Sequence, residues 1–238
     1  MGTVLTIKKL SFSYDGHRKI LDGVDLELSA GETIAIMGYS GSGKTTLLKI
    51  IAGLLYPYQG TVKINSAVGG IGYIPQNIGL VKNLTAVQNV VHGSLGKIGT
   101  FPGLFGRFPK EVYEKAYSLL NDLGLAEVAD RKAGLLSGGE RQRVAVARAL
   151  MQNPSILLAD EFVSDLDVIN AIEVMELTTK ICKLNNIGLI MTMHDTYLVN
   201  KFADRVAVLK DGKIKTEMPG NQINIKTLSA ILGGGPAE

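Results

Sequence analysis

Hydrophobic and polar residues alternate near the start of the chain and then give way to short, continuous apolar runs. Val24, Leu26 and Leu28 alternate with two acids, which predicts a half-buried strand. An Asp-Gly turn at residues 15–16 precedes this strand. Residues 33–37 are nearly all apolar and are followed at once by glycines, which is typical of a parallel strand buried on both faces.

Three further apolar runs carry the same signal, and helical periodicity fills the segments between them. The apolar runs lie at residues 156–159, 188–191 and 206–209, and the helical segments at residues 44–52, 137–151 and 167–184. Parallel strands need long crossover connections, which are usually helices. We therefore predict an α/β fold with a mostly parallel sheet and flanking helices.

The strand signal disappears between residues 84 and 136. Helical periodicity, such as that of residues 111–123, takes its place. We interpret this region as a helical subdomain, at about residues 77–150, that is inserted into a single domain of residues 1–238.

Two stretches predict irregular structure. Residues 93–109 are rich in Gly, Phe and Pro, which indicates a loop that carries apolar side chains. Residues 219–238 are assigned to a C-terminal tail, and the glycines and proline at residues 233–236 predict a frayed end.

Composition and charge bear on the partners and the location of the chain. The 238 residues carry 25 Lys and Arg against 22 Asp and Glu, a net charge of +3, whereas a nucleic-acid-binding face shows clustered cations. We therefore expect no nucleic-acid partner. Cys182 is the single cysteine and cannot form an internal disulfide, and no apolar run approaches the ~20 residues that span a bilayer. With a start that lacks a signal-peptide pattern, these features predict a cytoplasmic protein with an inert thiol.

Residues 38–45 carry a candidate phosphate-binding loop, because they follow a buried strand and open a predicted helix. Glycines allow backbone N–H groups to face phosphate oxygens, and the helix N-terminus adds positive potential. Lys44 is expected to reach the β- and γ-phosphates, and Thr45 to ligate Mg²⁺ through its hydroxyl. A glycine-rich turn with a surface lysine is the alternative, and the strand context disfavours it. The predicted triphosphate-binding residues are Gly38, Ser40, Gly41, Ser42, Gly43, Lys44, Thr45 and Thr46.

Two acids follow another buried strand, where open α/β sheets bind their ligands. We expect Asp160 to hold Mg²⁺ and Glu161 to orient or deprotonate an attacking water. An acidic helix start would explain the pair equally well if it stood alone. The phosphate-binding loop in the same chain favours the catalytic interpretation.

A second helix start is suited to an anion. Ser137 can cap the helix, and Gly138 and Gly139 leave its first N–H groups exposed. Residues 136–140 (Leu-Ser-Gly-Gly-Glu) match the signature motif of the nucleotide-binding subunits of ABC transporters, and the chain resembles that family over about residues 3–217.

The resemblance implies an architecture and a set of partners. It implies a P-loop NTPase core, an N-terminal antiparallel β-subdomain and an inserted α-helical subdomain, with ATP and Mg²⁺ bound. It also implies a head-to-tail homodimer, or a pseudo-dimer with a second ABC subunit, in which the signature of one chain closes over ATP held by the other. Transmembrane permease subunits would be direct partners and a solute-binding protein an indirect one. The chain would lie peripherally on the inner face of the membrane.

Further residues match family positions one by one. Tyr14 resembles the aromatic that stacks on adenine, where the alternative is an ordinary strand aromatic. Gln76 resembles the glutamine that contacts Mg²⁺ and senses the membrane partner, and His194 the histidine that contacts the γ-phosphate. His17 and His92 are interpreted as structural. The implied catalytic residues are Glu161, His194, Gln76 and Lys44, and the implied metal ligands are Thr45, Gln76 and Asp160.

Three positions depart from the family pattern. Phe162 stands where a proline usually follows the catalytic glutamate, and Asp165 stands where a small alanine is usual in the loop that crosses to the other subunit. An additional carboxylate there could repel the partner or meet a basic residue. Tyr39 replaces a common proline without consequence, because the loop works through backbone groups.

Two segments bear on the type of transporter. Residues 84–90 resemble the family segment that receives a cytoplasmic helix of the membrane subunit, with apolar side chains forming the groove. Residues 93–110 resemble the longer loop of phosphonate-importer ATPases, which favours import of a phosphonate or another small oxyanion. The loop residues on which this depends are Phe101, Leu104, Phe105, Phe108, Pro109 and Lys110.

Other functions stay open. Importers of other small polar solutes share these motifs, and a soluble ABC ATPase that clamps ribosomes or DNA is a further alternative. A regulator that holds ATP without hydrolysis is disfavoured by Glu161 and His194. A small-molecule kinase ranks last, because residues 136–140 would have no role in it.

Overall fold

The computed structural model describes residues 2–65, 70–95 and 108–233. The strands are β1 (Thr3–Ser13), β2 (Lys19–Ser29), β3 (Thr33–Met37), β4 (Gln59–Ile64), β5 (Gly70–Ile74), β6 (Pro154–Asp160), β7 (Gly188–Thr192), β8 (Arg205–Lys210) and β9 (Lys213–Pro219). The helices are α1 (Lys44–Ile51), α2 (Ala86–Val91), α3 (Lys110–Asp122), α4 (Gly138–Leu150), α5 (Val168–Leu184), α6 (Thr196–Phe202) and α7 (Ile225–Leu232). Short 3₁₀ helices lie at His92–Ser94, Ala126–Val128, Ala133–Leu135 and Gly220–Gln222.

The described strands form two sheets. The larger has the order β5-β6-β7-β3-β8-β9 and is parallel except for the antiparallel pair β8 and β9. The smaller, β2-β1-β4, is antiparallel. Every residue of β3, β6 and β7 is buried, as expected of parallel strands covered on both faces. The predicted fold class is confirmed.

The hydrophobic core has two parts, one on each face of the larger sheet. Alternate residues of β3 point to opposite faces, so Ala35 and Met37 pack with the helical segment and Ile34 and Ile36 with α1 and the smaller sheet. Because both faces of the larger sheet are covered, the ends of its strands are where a binding site can form.

The segment that follows β5 is tied to the helices of residues 86–150. Asn89 is buried, and its Nδ2 donates to Val81 O (3.1 Å) while its Oδ1 accepts from Val81 N (2.8 Å). Arg148 on α4 donates through its guanidinium to Gly79 O (2.9 Å) and to Ile78 O. The loop after β5 is therefore bound to α4, the helix that begins at the signature motif.

The structure has a groove beside α2. It is lined by Leu84, Gln88, Val91, His92, Phe108 and Tyr113. The other apolar residues of the predicted segment, Ala86, Val87 and Val90, pack in the core. Residues 96–107, and with them the predicted loop residues Phe101, Leu104 and Phe105, lie outside the described residues.

The C-terminal region is more regular than its composition indicates. Asn224 caps α7 by accepting from Thr227 N (2.9 Å), and Gly233 ends this helix in the left-handed conformation (φ 75°). Gly233 is thus the last described residue of the predicted frayed end, and residues 234–238 lie outside the described ones, so the frayed end stays a prediction. The predicted limits of the helical subdomain and the tail stay predictions.

Two expectations from composition concern Cys182 and the membrane. Cys182 is buried on α5, and burial raises the pKa of its thiol to about 12, which makes it a poor nucleophile. Among the helices of the described ranges, none combines the length and the apolarity that crossing a membrane requires.

Candidate functional site

The glycine-rich loop joins the carboxyl end of β3 to the first turn of α1. Gly43 is the N-cap of α1, without a side-chain cap and without an acid in the first turn. The first N–H groups of a helix have no partner within it. Here they are left to an anion, which also gains from the positive end of the helix dipole.

Lys44 lies across this loop. Its side chain is only 5% exposed, and its Nζ donates to Gly38 O (3.0 Å) and Tyr39 O (3.1 Å). Burial lowers the pKa of the Lys44 ammonium, and the negative charges of Glu161 and Asp160 oppose that effect. An ammonium has three donors, so one remains for a phosphate oxygen.

The backbone around Gly38 leaves no room for a side chain, and measurements of stability can test this. A Cβ at Gly38 would lie 2.2 Å from Leu209 O, whereas a Cβ at Gly41 would meet nothing within 4 Å. Gly38→Ala is expected to lower the free energy of unfolding by about 2 kcal/mol or more. Gly41→Ala, which has only the strain of a positive φ, should lose about 1 kcal/mol. Chemical denaturation without nucleotide measures both, and equal losses would contradict the clash.

A cavity of about 360 Å³ opens over the loop and collects residues that are distant in sequence. Its lining consists of Tyr14, Ile20, Ser40, Gly41, Gly43, Lys44, Thr45, Thr46, Gln76 and Glu161. Ser42 lies beneath it, and its buried Oγ has no hydrogen-bond partner among the described residues. Asp160 and His194 are not lining residues, but Asp160 contacts Thr45 and His194 contacts Glu161.

Cavity size alone does not locate the site. A larger cavity of about 600 Å³ includes Pro154 and Ser155 at the start of β6 and Ile187 just before β7. These are the amino ends of parallel strands, whereas ligands of open α/β sheets bind at the carboxyl ends.

Asp160 is the last residue of β6 and is 1% exposed. Its Oδ1 accepts hydrogen bonds from the Thr45 hydroxyl (3.2 Å) and the Thr192 hydroxyl (2.7 Å). Within the described ranges, no cluster of three or more His, Cys, Asp or Glu could hold a metal. One carboxylate with one hydroxyl fits Mg²⁺, which commonly takes one or two carboxylates and completes its shell with phosphate oxygens and water.

Glu161 follows directly, and its carboxylate lies between two polar side chains. Gln76 Nε2 donates to Glu161 Oε2 (3.1 Å), and His194 Nε2 lies 2.7 Å from Glu161 Oε1. The backbone of Glu161 is left-handed (φ 45°), which is uncommon outside glycine. The arrangement holds a carboxylate base at the edge of the phosphate cavity.

The two residues after Glu161 that depart from the family pattern, Phe162 and Asp165, differ in burial. Phe162 is 2% exposed and packs in the core. Asp165 is exposed. Ser164 Oγ donates to Glu161 O (2.8 Å) and closes the turn between them.

The signature motif has a packing role as well as a capping role. Ser137 Oγ accepts from Glu140 N (3.2 Å), and Glu140 Oε2 accepts from Ser137 N (2.7 Å), which forms a capping box. A Cβ at Gly139 would lie 2.9 Å from Asn170 Oδ1, so this glycine allows α4 and α5 to approach closely. Ser137, Gly138 and Gly139 do not line the phosphate cavity of their own chain.

Tyr14 lies at the rim of the cavity. It is 61% exposed, its hydroxyl is 3.2 Å from Thr46 Oγ1, and Phe12 packs on it edge to face at 4.8 Å. An exposed ring held at one end is suited to stacking on a planar ligand.

Sequence reasoning missed three residues that organise the site: Thr192, Asn89 and Arg148. Thr192 is a polar residue at the carboxyl end of an apolar run, which is a signal that could have been used. Arg148 contacts backbone oxygens of Gly79 and Ile78, which are distant in sequence, and Asn89 contacts a loop eight residues before it, so their sequence neighbourhood carries no such signal.

Comparison with known proteins now decides the family. Residues 21–164 match the family model described as ABC transporter. The chain belongs to the ABC transporter family. The phosphonates import ATP-binding protein PhnC of Treponema denticola is 37% identical over 238 residues, which covers 94% of this chain and 93% of that protein. PhnC of Bordetella parapertussis is 36% identical and covers 98% of each chain.

Solved structures agree with the sequence relatives. The ADP conformation of MJ1267, an ATP-binding cassette of an ABC transporter, superposes with a TM-score of 0.85 at 27% identity, covering 99% of this chain and 100% of that one. The cassette MJ0796, in a dimeric structure bound to ADP and Pi, gives a TM-score of 0.74 at 30% identity, covering 92% and 100%.

Membership of this family establishes the biochemical class of the chain. It is an ABC transporter subunit that binds ATP, uses Mg²⁺ and hydrolyses ATP. The predicted family and enzyme class are confirmed.

Proposed function

We propose that this chain powers the import of a phosphonate or another small oxyanion through separate membrane subunits. The observation that carries the proposal is the extent of the similarity to phosphonate import ATP-binding proteins, 36–37% identity over 94–98% of the chain. Further support comes from the site, which brings together groups suited to binding a triphosphate and to activating water. The transported solute does not contact such a subunit, so the solute itself must be tested with the assembled transporter.

The residues of the site are given the following roles. The loop N–H groups and Lys44 bind the phosphates, Tyr14 stacks on adenine, and Thr45, Asp160 and Gln76 hold Mg²⁺. The bound metal would neutralise charge on the phosphate oxygens.

Hydrolysis is assigned to Glu161 and His194. The carboxylate of Glu161 accepts a proton from water as the water oxygen bonds to the γ-phosphorus. The bond from that phosphorus to the bridging oxygen breaks, and ADP and phosphate are the products. His194, 2.7 Å from Glu161 Oε1, keeps the carboxylate in place and contacts the γ-phosphate.

Turnover is proposed to need two cassettes arranged head to tail, either two copies of this chain or a pseudo-dimer with a second ABC subunit. Support comes from the position of Ser137, Gly138 and Gly139, which lie outside the phosphate cavity of their own chain. The start of α4 is nevertheless suited to an anion. A second cassette would bring its own signature to that cavity.

Permease subunits are proposed to dock at the groove beside α2. The groove, of about 160 Å³, combines Leu84 and Val91 with the rings of His92, Phe108 and Tyr113. His92 and Phe108 pack at 5.8 Å, and Phe108 and Tyr113 at 6.4 Å. An amphipathic helix of the permease fits such a groove. This would hold the chain on the inner face of the membrane, and the solute-binding protein would act through the permease.

The transport function predicts solute-dependent ATP hydrolysis. The chain, assembled in proteoliposomes with the membrane and solute-binding proteins encoded beside it, is expected to hydrolyse ATP several-fold faster with methylphosphonate. Labelled methylphosphonate should accumulate only with ATP on the cassette side. Sulfate, phosphate and an uncharged sugar are the comparison solutes.

Controls separate the alternatives. A transporter assembled with Glu161→Gln should bind ATP without uptake. Stimulation by the sugar alone would assign another small polar solute, and co-purification with ribosomes or DNA instead of a membrane protein would contradict transport.

A further inference from the structure

The hydroxyl of Thr192 lies between the two acids of the site. Thr192 is the last residue of β7, is 0% exposed, and stands opposite Asp160 in the register of the parallel strands β6 and β7. Its Oγ1 is 2.7 Å from Asp160 Oδ1 and 2.8 Å from the backbone nitrogen of Glu161. One buried oxygen therefore contacts both acidic residues.

The direction of these two hydrogen bonds follows from their chemistry. A backbone N–H only donates, so Glu161 N–H donates to Thr192 Oγ1. A carboxylate only accepts, so the single hydroxyl proton of Thr192 goes to Asp160 Oδ1. The hydroxyl thus donates to one acid and accepts from the other, and turning its proton to a different partner would lose the bond to Asp160.

The bond to Glu161 acts on a strained turn. Glu161 has a left-handed backbone (φ 45°), which a residue with a Cβ adopts at a cost. Its N–H is held by Thr192 Oγ1, and its carbonyl oxygen accepts from Ser164 Oγ (2.8 Å). These bonds hold the backbone that directs the Glu161 side chain towards Gln76 and His194.

The bond to Asp160 acts on a carboxylate that is shared with Thr45. The Thr45 hydroxyl donates to the same Oδ1 atom at 3.2 Å. If Thr45 serves as a metal ligand, its hydroxyl oxygen is directed to the metal. Thr192 belongs to β7, between β6 and β3, and is not part of the loop, so its bond to Asp160 does not depend on Thr45.

We propose that Thr192 is a positioning residue for ATP hydrolysis, whose single hydroxyl orients the Asp160 carboxylate for Mg²⁺ and the Glu161 backbone for water activation. The proposal rests on the proposed roles of Asp160 and Glu161. It makes the two acids a coupled unit, since a change at one hydroxyl reaches both metal binding and proton transfer.

The test removes the hydroxyl while keeping the shape of the side chain. Thr192→Val is expected to lower kcat about tenfold, the loss typical of one hydrogen bond to a charged group. Thr192→Ser, which retains the hydroxyl, should stay within about threefold of the unchanged chain. Ile190→Val, on the same buried strand, is the matched control for packing, because it loses one methylene and no hydrogen bond.

A binding measurement without turnover tests the metal half of the proposal. In the Glu161→Gln background, the affinity for a fluorescent ATP analogue is followed as Mg²⁺ is titrated. Adding Thr192→Val should raise the Mg²⁺ concentration for half-maximal binding about tenfold and leave affinity in EDTA unchanged. Adding Ile190→Val should change neither value, even if thermal melting shows equal destabilisation. Thr192→Cys replaces the valine variant if that variant does not fold.

Each outcome decides the proposal. Unchanged kcat and Mg²⁺ dependence in Thr192→Val, with hydrolysis intact in the parent and abolished by Glu161→Gln, would overturn the role of Thr192 alone. Equal effects of Thr192→Val and Ile190→Val would show ordinary packing and overturn it as well. A parent chain that shows no Mg²⁺-dependent ATP binding would overturn the proposed roles of the acids and, with them, this one.

Discussion

Glu161→Gln is expected to bind ATP with nearly unchanged affinity and to hydrolyse it at least about 10²-fold more slowly, the range that a general base contributes. The substitution keeps the size of the side chain and removes its capacity to accept a proton. Glu161 Oε1 and Oε2 contact His194 and Gln76, and an amide can preserve one contact while altering the other. Single-turnover phosphate release at saturating ATP measures the effect, and equilibrium binding of a fluorescent ATP analogue measures the affinity.

A matched control separates catalysis from the loss of a negative charge. Glu176→Gln removes a carboxylate from an exposed position on α5 and should leave phosphate release unchanged. Hydrolysis by Glu161→Gln at the rate of the parent chain would show that another group accepts the proton, and the assignment of Glu161 would be wrong.

Lys44→Ala is expected to weaken ATP binding about ten- to hundredfold, which corresponds to about 1.5–3 kcal/mol for hydrogen bonds to a charged group. Lys44 is buried over the loop, where its ammonium is close to the phosphate cavity and screened from water. Removing it also leaves Gly38 O and Tyr39 O without this donor. Equilibrium binding of ATP and of ADP measures the loss, which should be larger for ATP because Lys44 is assigned to the β- and γ-phosphates.

Lys49→Ala is the control for Lys44→Ala, because it removes one lysine from the last turn of the same helix. The helix dipole effect is confined to the terminal turns, so this variant should bind ATP as the parent does. A comparable loss in both variants would point to long-range charge rather than to contact with the phosphates. Thermal melting of each variant without nucleotide shows whether the loop itself is destabilised.

Local sequence patterns predicted most of the secondary structure. The alternation at Val24, Leu26 and Leu28 corresponds to β2, and the apolar run at residues 33–37 coincides with β3. Helix starts were readable where a side chain caps the helix, as at Ser137 and Asp167. Sequence patterns did not predict how a side chain packs where its packing depends on residues that are distant in sequence. Each apolar residue of α2 could have lined a groove or packed only in the core, and the packing of α3 and α4 against this helix decides which it does.

The site divides in the same way. The loop from Gly38 to Thr45 is contiguous, so its phosphate-binding character follows from eight neighbouring residues. Gln76, Glu161 and His194 are far apart in sequence. The role of Glu161 was predicted from its place after a buried strand, and those of Gln76 and His194 from resemblance to a family, but neither argument explains why the three meet. Thr192 was not predicted as a site residue, because a threonine at the end of a strand has no evident role until the neighbouring strand is known.

The sequence by itself determined the parallel-sheet class, the phosphate-binding loop and the helix start at the signature, because each depends on residues within a few positions of one another. Tertiary structure alone decided which side chains share the edge of the sheet. Strands β5, β6 and β7 are parallel neighbours, so the residues at their carboxyl ends are brought together. The register that pairs Asp160 with Thr192 places a hydroxyl between the two acids. Strand order and register depend on how whole faces of the sheet are buried, so they cannot be predicted from any short segment of the chain.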